Sequence, residues 1–235
     1  TDGDASNQGR FLTTTPDGDI YVTNTGTFQL DGAVAVAGGN IQVIAASPLT
    51  VVGDVRTVGN GSITLTASED ANAATGDDLV ISANVTILTE QGDITLTGGG
   101  DITQATGGLI QTGGDATISV QADIDATDDT VAGVFTQAGT AEIRHLGTGS
   151  IDVDARGDIE LSAVLGGNET VVNILTETSD IIDDDGGTGL DISGGAVTLN
   201  AVNGIGAAGV NGALEIDASS VDATSSTTVG VFLNS

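Results

Sequence analysis

Apolar and polar residues alternate along this chain in short runs, and each run follows a turn. Residues 92–121 set the pattern: GDITL begins at Gly92, GDITQ at Gly100 and GDATI at Gly114. A period of two after each turn predicts a short strand buried on one side, with no room for a helix between strands. Glycine is expected at the corner for its access to positive φ, and Asp for a hydrogen bond to its own backbone two residues on. The β-branched Ile and Thr suit the pleat that follows.

Strings of this kind run from end to end. GDIYV starts at Gly18, GNIQV at Gly39, GSITL at Gly61, DDLVI at Asp77, GSIDV at Gly149, GDIEL at Gly157, GAVTL at Gly195 and GALEI at Gly212. Their spacing of roughly 15 to 22 residues, with half-steps of about eight, is that of a solenoid coil. An apolar pattern with helical period and caps is absent, so no significant helix is expected. The chain therefore reads as all-β, a parallel β-helix (β-solenoid) of roughly a dozen coils at about 20 residues each, giving a rod on the order of 50 to 60 Å long. Its inward residues are expected to be Ile20, Val22, Ile41, Val43, Ile63, Leu65, Ile94, Leu96, Ile118, Val120, Ile151, Val153, Ile159, Leu161, Val197, Leu199, Leu214 and Ile216. The alternative is a pair of tandem β-sandwich domains, which would pair strands as hairpins rather than one coil apart.

A longer repeat lies over the short one. DATDDTVAGVF from Asp125 matches DATSSTTVGVF from Asp222, VTILTEQGDI from Val85 matches VNILTETSDI from Val172, and GLIQTGGDATIS from Gly108 matches GLDISGGAVTLN from Gly189. The expected organisation is one continuous solenoid over 1–235, with long repeats at 61–137 and 157–234 and a partial one at 1–60. Gains and losses near one coil length between the copies suit a stack, in which each coil touches only its neighbours. Neither end carries a capping helix or a charged, Pro-bearing edge strand, so the chain reads as a segment of an array or a protomer whose ends meet its neighbours.

Charge narrows the partners. There are 33 acidic residues against four basic ones, Arg10, Arg56, Arg144 and Arg156, for a net charge of −29. Nucleic acid and anionic membrane surfaces require cations facing phosphates, so neither is an expected partner. No apolar run is long enough for a membrane-spanning helix, and membrane insertion is not expected. The absence of Cys excludes disulfides and thiolate chemistry.

Candidate chemistry is sparse. Asp180, Asp183, Asp184 and Asp185 precede Gly186-Gly187 and gather hard oxygen donors suited to Ca²⁺, which takes six to eight oxygens; the alternative is a solvated loop between coils. Asp128 and Asp129 have Ser225 and Ser226 as counterparts in the other copy, which argues against a repeated site there. His145 is the only possible base for a Ser-His-Asp relay and is expected to be a strand residue on the solvent face. Arg56, Arg144 and Arg156 are expected to pair with nearby Asp. Four Phe and one Tyr leave little for a sugar-binding cleft, so no catalytic site and no enzyme are expected.

The GDITLTA-like strings, GLDISGGAVTLNA, and the passage from NGIG at Asn203 to GVFLNS resemble the β-strand repeats of filamentous-haemagglutinin-like giant secreted bacterial surface proteins. The resemblance covers most of residues 61–235 and, more weakly, the first 60. It implies a right-handed parallel β-helix, an extracellular or cell-surface location, and a structural or adhesive role. The expected function is a stalk, adhesin or filament segment whose partners are copies of itself, stacked head to tail, or neighbouring repeats of one chain. An adhesive, glycan-binding module is the rival, which exposed aromatics would favour.

Overall fold

A computed structural model describes residues 8–36, 38–69, 77–123, 132–186, 189–208, 212–227 and 229–235. Among them every paired strand is parallel to its neighbour and no helix occurs, so the chain is an all-β solenoid and the tandem sandwich is excluded. Each turn carries three short strands on three faces. Face 1 stacks Ile20–Asn24, Ile41–Ala45, Ile63–Ala67, Ile94–Gly98, Thr117–Ala122, Ser150–Ala155 and Val171–Thr176, then the second halves of Ile192–Ala201 and Leu214–Ser225. Face 2 includes Leu49–Val51, Leu79–Ile81, Ile102–Gln104, Phe135–Gln137, Ile159–Leu161, Ile181–Asp183, Gly204–Ile205 and Gly230–Val231. Face 3 includes Val55–Thr57, Thr86–Leu88, Leu109–Thr112, Glu142–His145 and Val164–Gly166, and continues through the first halves of the two long strands to Leu233–Asn234.

The stack makes about eight turns rather than a dozen. Partners on face 1 are 21 residues apart at Ile20 and Ile41 but 33 apart at Ile118 and Ile151, so a turn is longer than the short motif suggests. The half-steps of eight explain the excess. GDITL at Gly92 leads into face 1 and GDITQ at Gly100 into face 2 of the same turn, so two motifs serve one coil. At the strand spacing of about 4.8 Å, eight steps give a rod of roughly 40 Å.

Alternation holds because each strand has one side in the core. Of the eighteen residues expected inside, all are buried except Val22, which lies on the first face 1 strand and packs against the core only in part. Ile41, Ile63, Ile94, Ile118 and Ile151 lie in one column, and Val43, Leu65, Leu96, Val120 and Val153 in the next. Each aliphatic side chain so buried contributes about 1.5–3 kcal/mol, and most of its contacts come from the turns above and below.

The corners depart from expectation in their chemistry. Gly39, Gly61, Gly92 and Gly149, which lead into face 1, do not use left-handed backbone; they are needed because successive turns nearly touch there. A Cβ on Gly61 would lie 2.2 Å from the Gly39 carbonyl oxygen, and one on Gly92 only 2.0 Å from that of Gly61. The corner Asp and Asn side chains likewise reach the next turn rather than their own backbone. Asp19 Oδ1 accepts the Asn40 N–H at 2.7 Å, and Asn40 Oδ1 accepts that of Ser62 at 2.9 Å. Asp78 accepts from Asp101 at 3.0 Å and Asp101 from Val134 at 2.8 Å. Asp54 takes the Thr86 N–H, Asp93 that of Thr117, and Asp158 that of Asp180.

This close stacking sets up a paired test. Gly92→Ala should destabilise the chain by about 1–3 kcal/mol in urea denaturation, since backbone must move to admit the methyl group. Gly26→Ala, where a Cβ meets nothing within 4 Å, should be neutral or slightly stabilising. Asp93→Ala should cost about 1 kcal/mol through loss of the exposed, charge-assisted bond from the Thr117 N–H, and Asp93→Asn less.

Candidate metal centre

Polar side chains inside the solenoid sit mostly at the ends of strands, where they complete the corners. Thr57 Oγ1 donates to the Gly61 carbonyl, and Thr89 and Thr112 both donate to that of Gly92. Gln104 and Gln137 stack on face 2, with Gln137 Nε2 donating to Gln104 Oε1 at 3.0 Å. His145 belongs to this set and is buried, against the expectation of a solvent-facing residue. It stands one turn from Thr112 in the same column, its Nε2 lies 2.8 Å from the Ala116 carbonyl oxygen, and its Nδ1 accepts the Gly147 N–H at 3.0 Å. Nδ1 therefore carries no proton and Nε2–H is the donor, a structural role equivalent to that of the threonines.

The ion pairs also differ in detail from expectation. Arg144 bonds Glu142 on its own strand at 2.6 Å rather than an Asp. Arg156 does meet an Asp, the buried Asp123, at 3.2 Å.

A different arrangement occurs at the corner between faces 2 and 3 near the C-terminal end of the rod. Asp183 ends the strand Ile181–Asp183, in register with the inward Leu161. Asp191 immediately precedes Ile192–Ala201 and is fully buried. Glu215 lies one turn further on, since Ile192 pairs with Ile216 and Asp191 thus falls beside Glu215. One carboxylate oxygen from each of the three lies within 4.8 Å of the others.

Each carboxylate has one oxygen engaged and one not. Asp183 Oδ1 accepts the N–H groups of Asp185 and Gly186 at 2.9 and 3.0 Å. Asp191 Oδ2 accepts the Glu215 N–H at 2.8 Å, the same cross-turn bond as at the other corners. Glu215 Oε1 receives the Asn234 amide at 3.4 Å. Asp183 Oδ2, Asp191 Oδ1 and Glu215 Oε2 are buried with no hydrogen-bond partner. Burial raises the Asp191 carboxyl to about 7, against the Glu215 N–H bond, and the charges of Asp183, Asp185 and Glu215 add to the rise. Asp183 is raised chiefly by burial, in opposition to its two N–H bonds.

Of the four carboxylates singled out in the sequence, Asp183 enters this cluster. Asp180 accepts from Asn203 at 3.5 Å, and its N–H belongs to the Asp158 corner. Asp184 is exposed and takes the Gly139 N–H at 3.2 Å. Asp185 contributes its N–H to Asp183 and its charge to the neighbourhood. Asp191 and Glu215 were not singled out, and their only signal in the sequence is the 24-residue separation that is one turn. Asp128 and Asp129 lie outside the described residues.

The raised carboxyls give stability a definite pH sign. Burial raises Asp78 and Asp154 too, with Asp101 and Asp77 adding to the first and Asp152 and Glu177 to the second. An acid whose folded pKa exceeds its unfolded value binds a proton on folding, so stability falls as pH rises through the interval between the two. In chelator-treated protein, stability measured by urea should fall between about pH 4 and pH 7, with Asp191 contributing on the order of a few kcal/mol. Asp191→Asn should flatten the upper part of that profile.

No family model, no curated protein and no solved structure matches this chain.

Proposed function

We propose that the chain is a structural β-solenoid segment of an extracellular stalk, adhesin or filament, in which the rod itself is the functional product. The observation that carries this reading is the open state of the last turn. Val221, Val231 and Leu233 are 43%, 39% and 38% exposed, yet the residues they pair with one turn below, Val197, Ile205 and Leu214, are buried. Among the described residues, positions 220–225 are hydrogen-bonded to a neighbouring strand on one side only. One more turn, from the same chain or from a second copy, would cover those side chains and use that edge.

The acidic surface fits the same role. Outward positions on face 1 include Thr64 and Thr66, Thr95 and Thr97, Ser119 and Gln121, and Asp152 and Asp154, all polar and in register. They keep much of that side of the rod hydrated, although Val171 and Leu175 on the same face are 41% and 39% exposed. No helix among the described residues is long and apolar enough to cross a membrane. The family resemblance of the repeat strings agrees with the reading.

Sedimentation and negative-stain electron microscopy of the purified chain at micromolar concentration test it. Head-to-tail assembly should give thin rods growing in steps of roughly 40 Å, and Val221→Asp should restore single rods. Single rods from the unaltered chain would remove self-stacking and leave a longer covalent array. Single rods that bind a defined glycan at micromolar concentration would overturn the claim that the rod itself is the product and favour the glycan-binding rival.

A further inference from the structure

We propose that Asp183, Asp191 and Glu215 form a calcium site that joins two successive turns of the solenoid. The acidic cluster alone would not carry this, since exposed carboxylates abound on the chain. What distinguishes it is Asp191, fully buried and with Oδ1 unpartnered, beside buried unpartnered oxygens of Asp183 and Glu215. Three carboxylates so close, each already holding a protein donor on its other oxygen, need either a proton or a cation between them, and a cation would engage all three free oxygens at once.

The donor set selects the ion. All three donors are carboxylate oxygens, the chain has no Cys, and its single His is committed to Ala116 and Gly147. This is a set for a hard cation rather than for zinc or copper. Oxygens bound to Ca²⁺ at about 2.4 Å lie at most about 4.8 Å from one another, whereas the shell of Mg²⁺ at about 2.1 Å is tighter. Oxygens within 4.8 Å of one another can share one such cation, and Ca²⁺ accepts an irregular shell of six to eight oxygens completed by water and backbone carbonyls, whereas Mg²⁺ demands a near-ideal octahedron and gives up its waters reluctantly.

The connectivity gives the site a mechanical consequence. Asp183 and Asp191 belong to one turn and Glu215 to the next. A bound cation would pull the two turns together at a corner where the bare chain has mutual repulsion, near the end that the proposed assembly uses. The site itself does not depend on that assembly, and binding can be read on single rods.

Isothermal titration of the full chain with CaCl₂ after chelator treatment, in about 150 mM NaCl to screen diffuse surface charge, is the test. One calcium should bind per chain, more tightly than Mg²⁺ and with an affinity in the range of about 10⁻⁴ to 10⁻³ M typical of extracellular modules, or tighter. Asp191→Asn and Glu215→Gln should each weaken it tenfold or more, whereas Asp180→Asn, outside the cluster, should leave it unchanged. Asp191→Asn keeps an acceptor for the Glu215 N–H, and circular dichroism checks that each variant is folded. Equal binding by the unaltered chain and both cluster variants, no saturable binding at that salt concentration, or equal affinity for Mg²⁺ would overturn the assignment.

Discussion

The solenoid depends on hydrogen bonds that leave one turn and end on the next. A corner carboxylate or amide accepts a backbone N–H one turn on, as Asp19 does from Asn40, Asp101 from Val134 and Asp158 from Asp180. Corner N–H groups fall outside the regular ladders, and an unpaired one costs about 1–3 kcal/mol where it is shielded from water. An anionic acceptor makes the bond stronger than a neutral one would. The corner Asp therefore sets the register between turns, and the aliphatic columns fall into line behind it.

Glycine has a matching role in the same corners. The approach of Gly61 to Gly39 and of Gly92 to Gly61 leaves no room for a Cβ, and any side chain there would hold the turns apart. Gly followed by Asp or Asn is thus a two-residue device in which one residue permits contact between turns and the other bonds across it. Neither function can be exercised by a single coil, which has no neighbour to approach or to bond.

That non-local character explains how much was legible in the sequence. Alternation of Ile, Leu and Val with Thr, Ser and Asp is a local property of a strand, and it identified most inward residues of face 1; it missed Val172 and Ile174, and it included Val22, which is only partly buried on the exposed first strand. The number of turns was less legible because the same Gly-Asp pair announces face 1 at Gly92 and face 2 at Gly100. Much of face 3, with Ile87, Ile110 and Ile143 buried in it, lacks that pair and gave a weaker signal. His145 was misplaced because a titratable residue on a strand is usually solvated. Here it replaces a threonine in a column of corner donors. Asp183 stood out within a run of acids, but its partners Asp191 and Glu215 are fixed by the coil register, which a one-dimensional pattern does not contain.

The acidity of the chain can be understood from the same corners. A carboxylate that accepts the next turn's N–H with one oxygen carries a second oxygen and a full negative charge, and stacking brings such charges into repeated proximity. At Asp19 the Asn40 N–H holds the carboxyl below its ordinary value, so there the cross-turn bond wins. At Asp78 burial outweighs the Asp101 N–H, with the charges of Asp101 and Asp77 adding to the rise. At Asp191 burial again outweighs the N–H bond, and three neighbouring charges act against it. These corners run from a well-solvated acceptor to one that needs a proton or a cation. The proposed cation site is then not a separate addition to the fold but the point where its usual corner chemistry is most crowded.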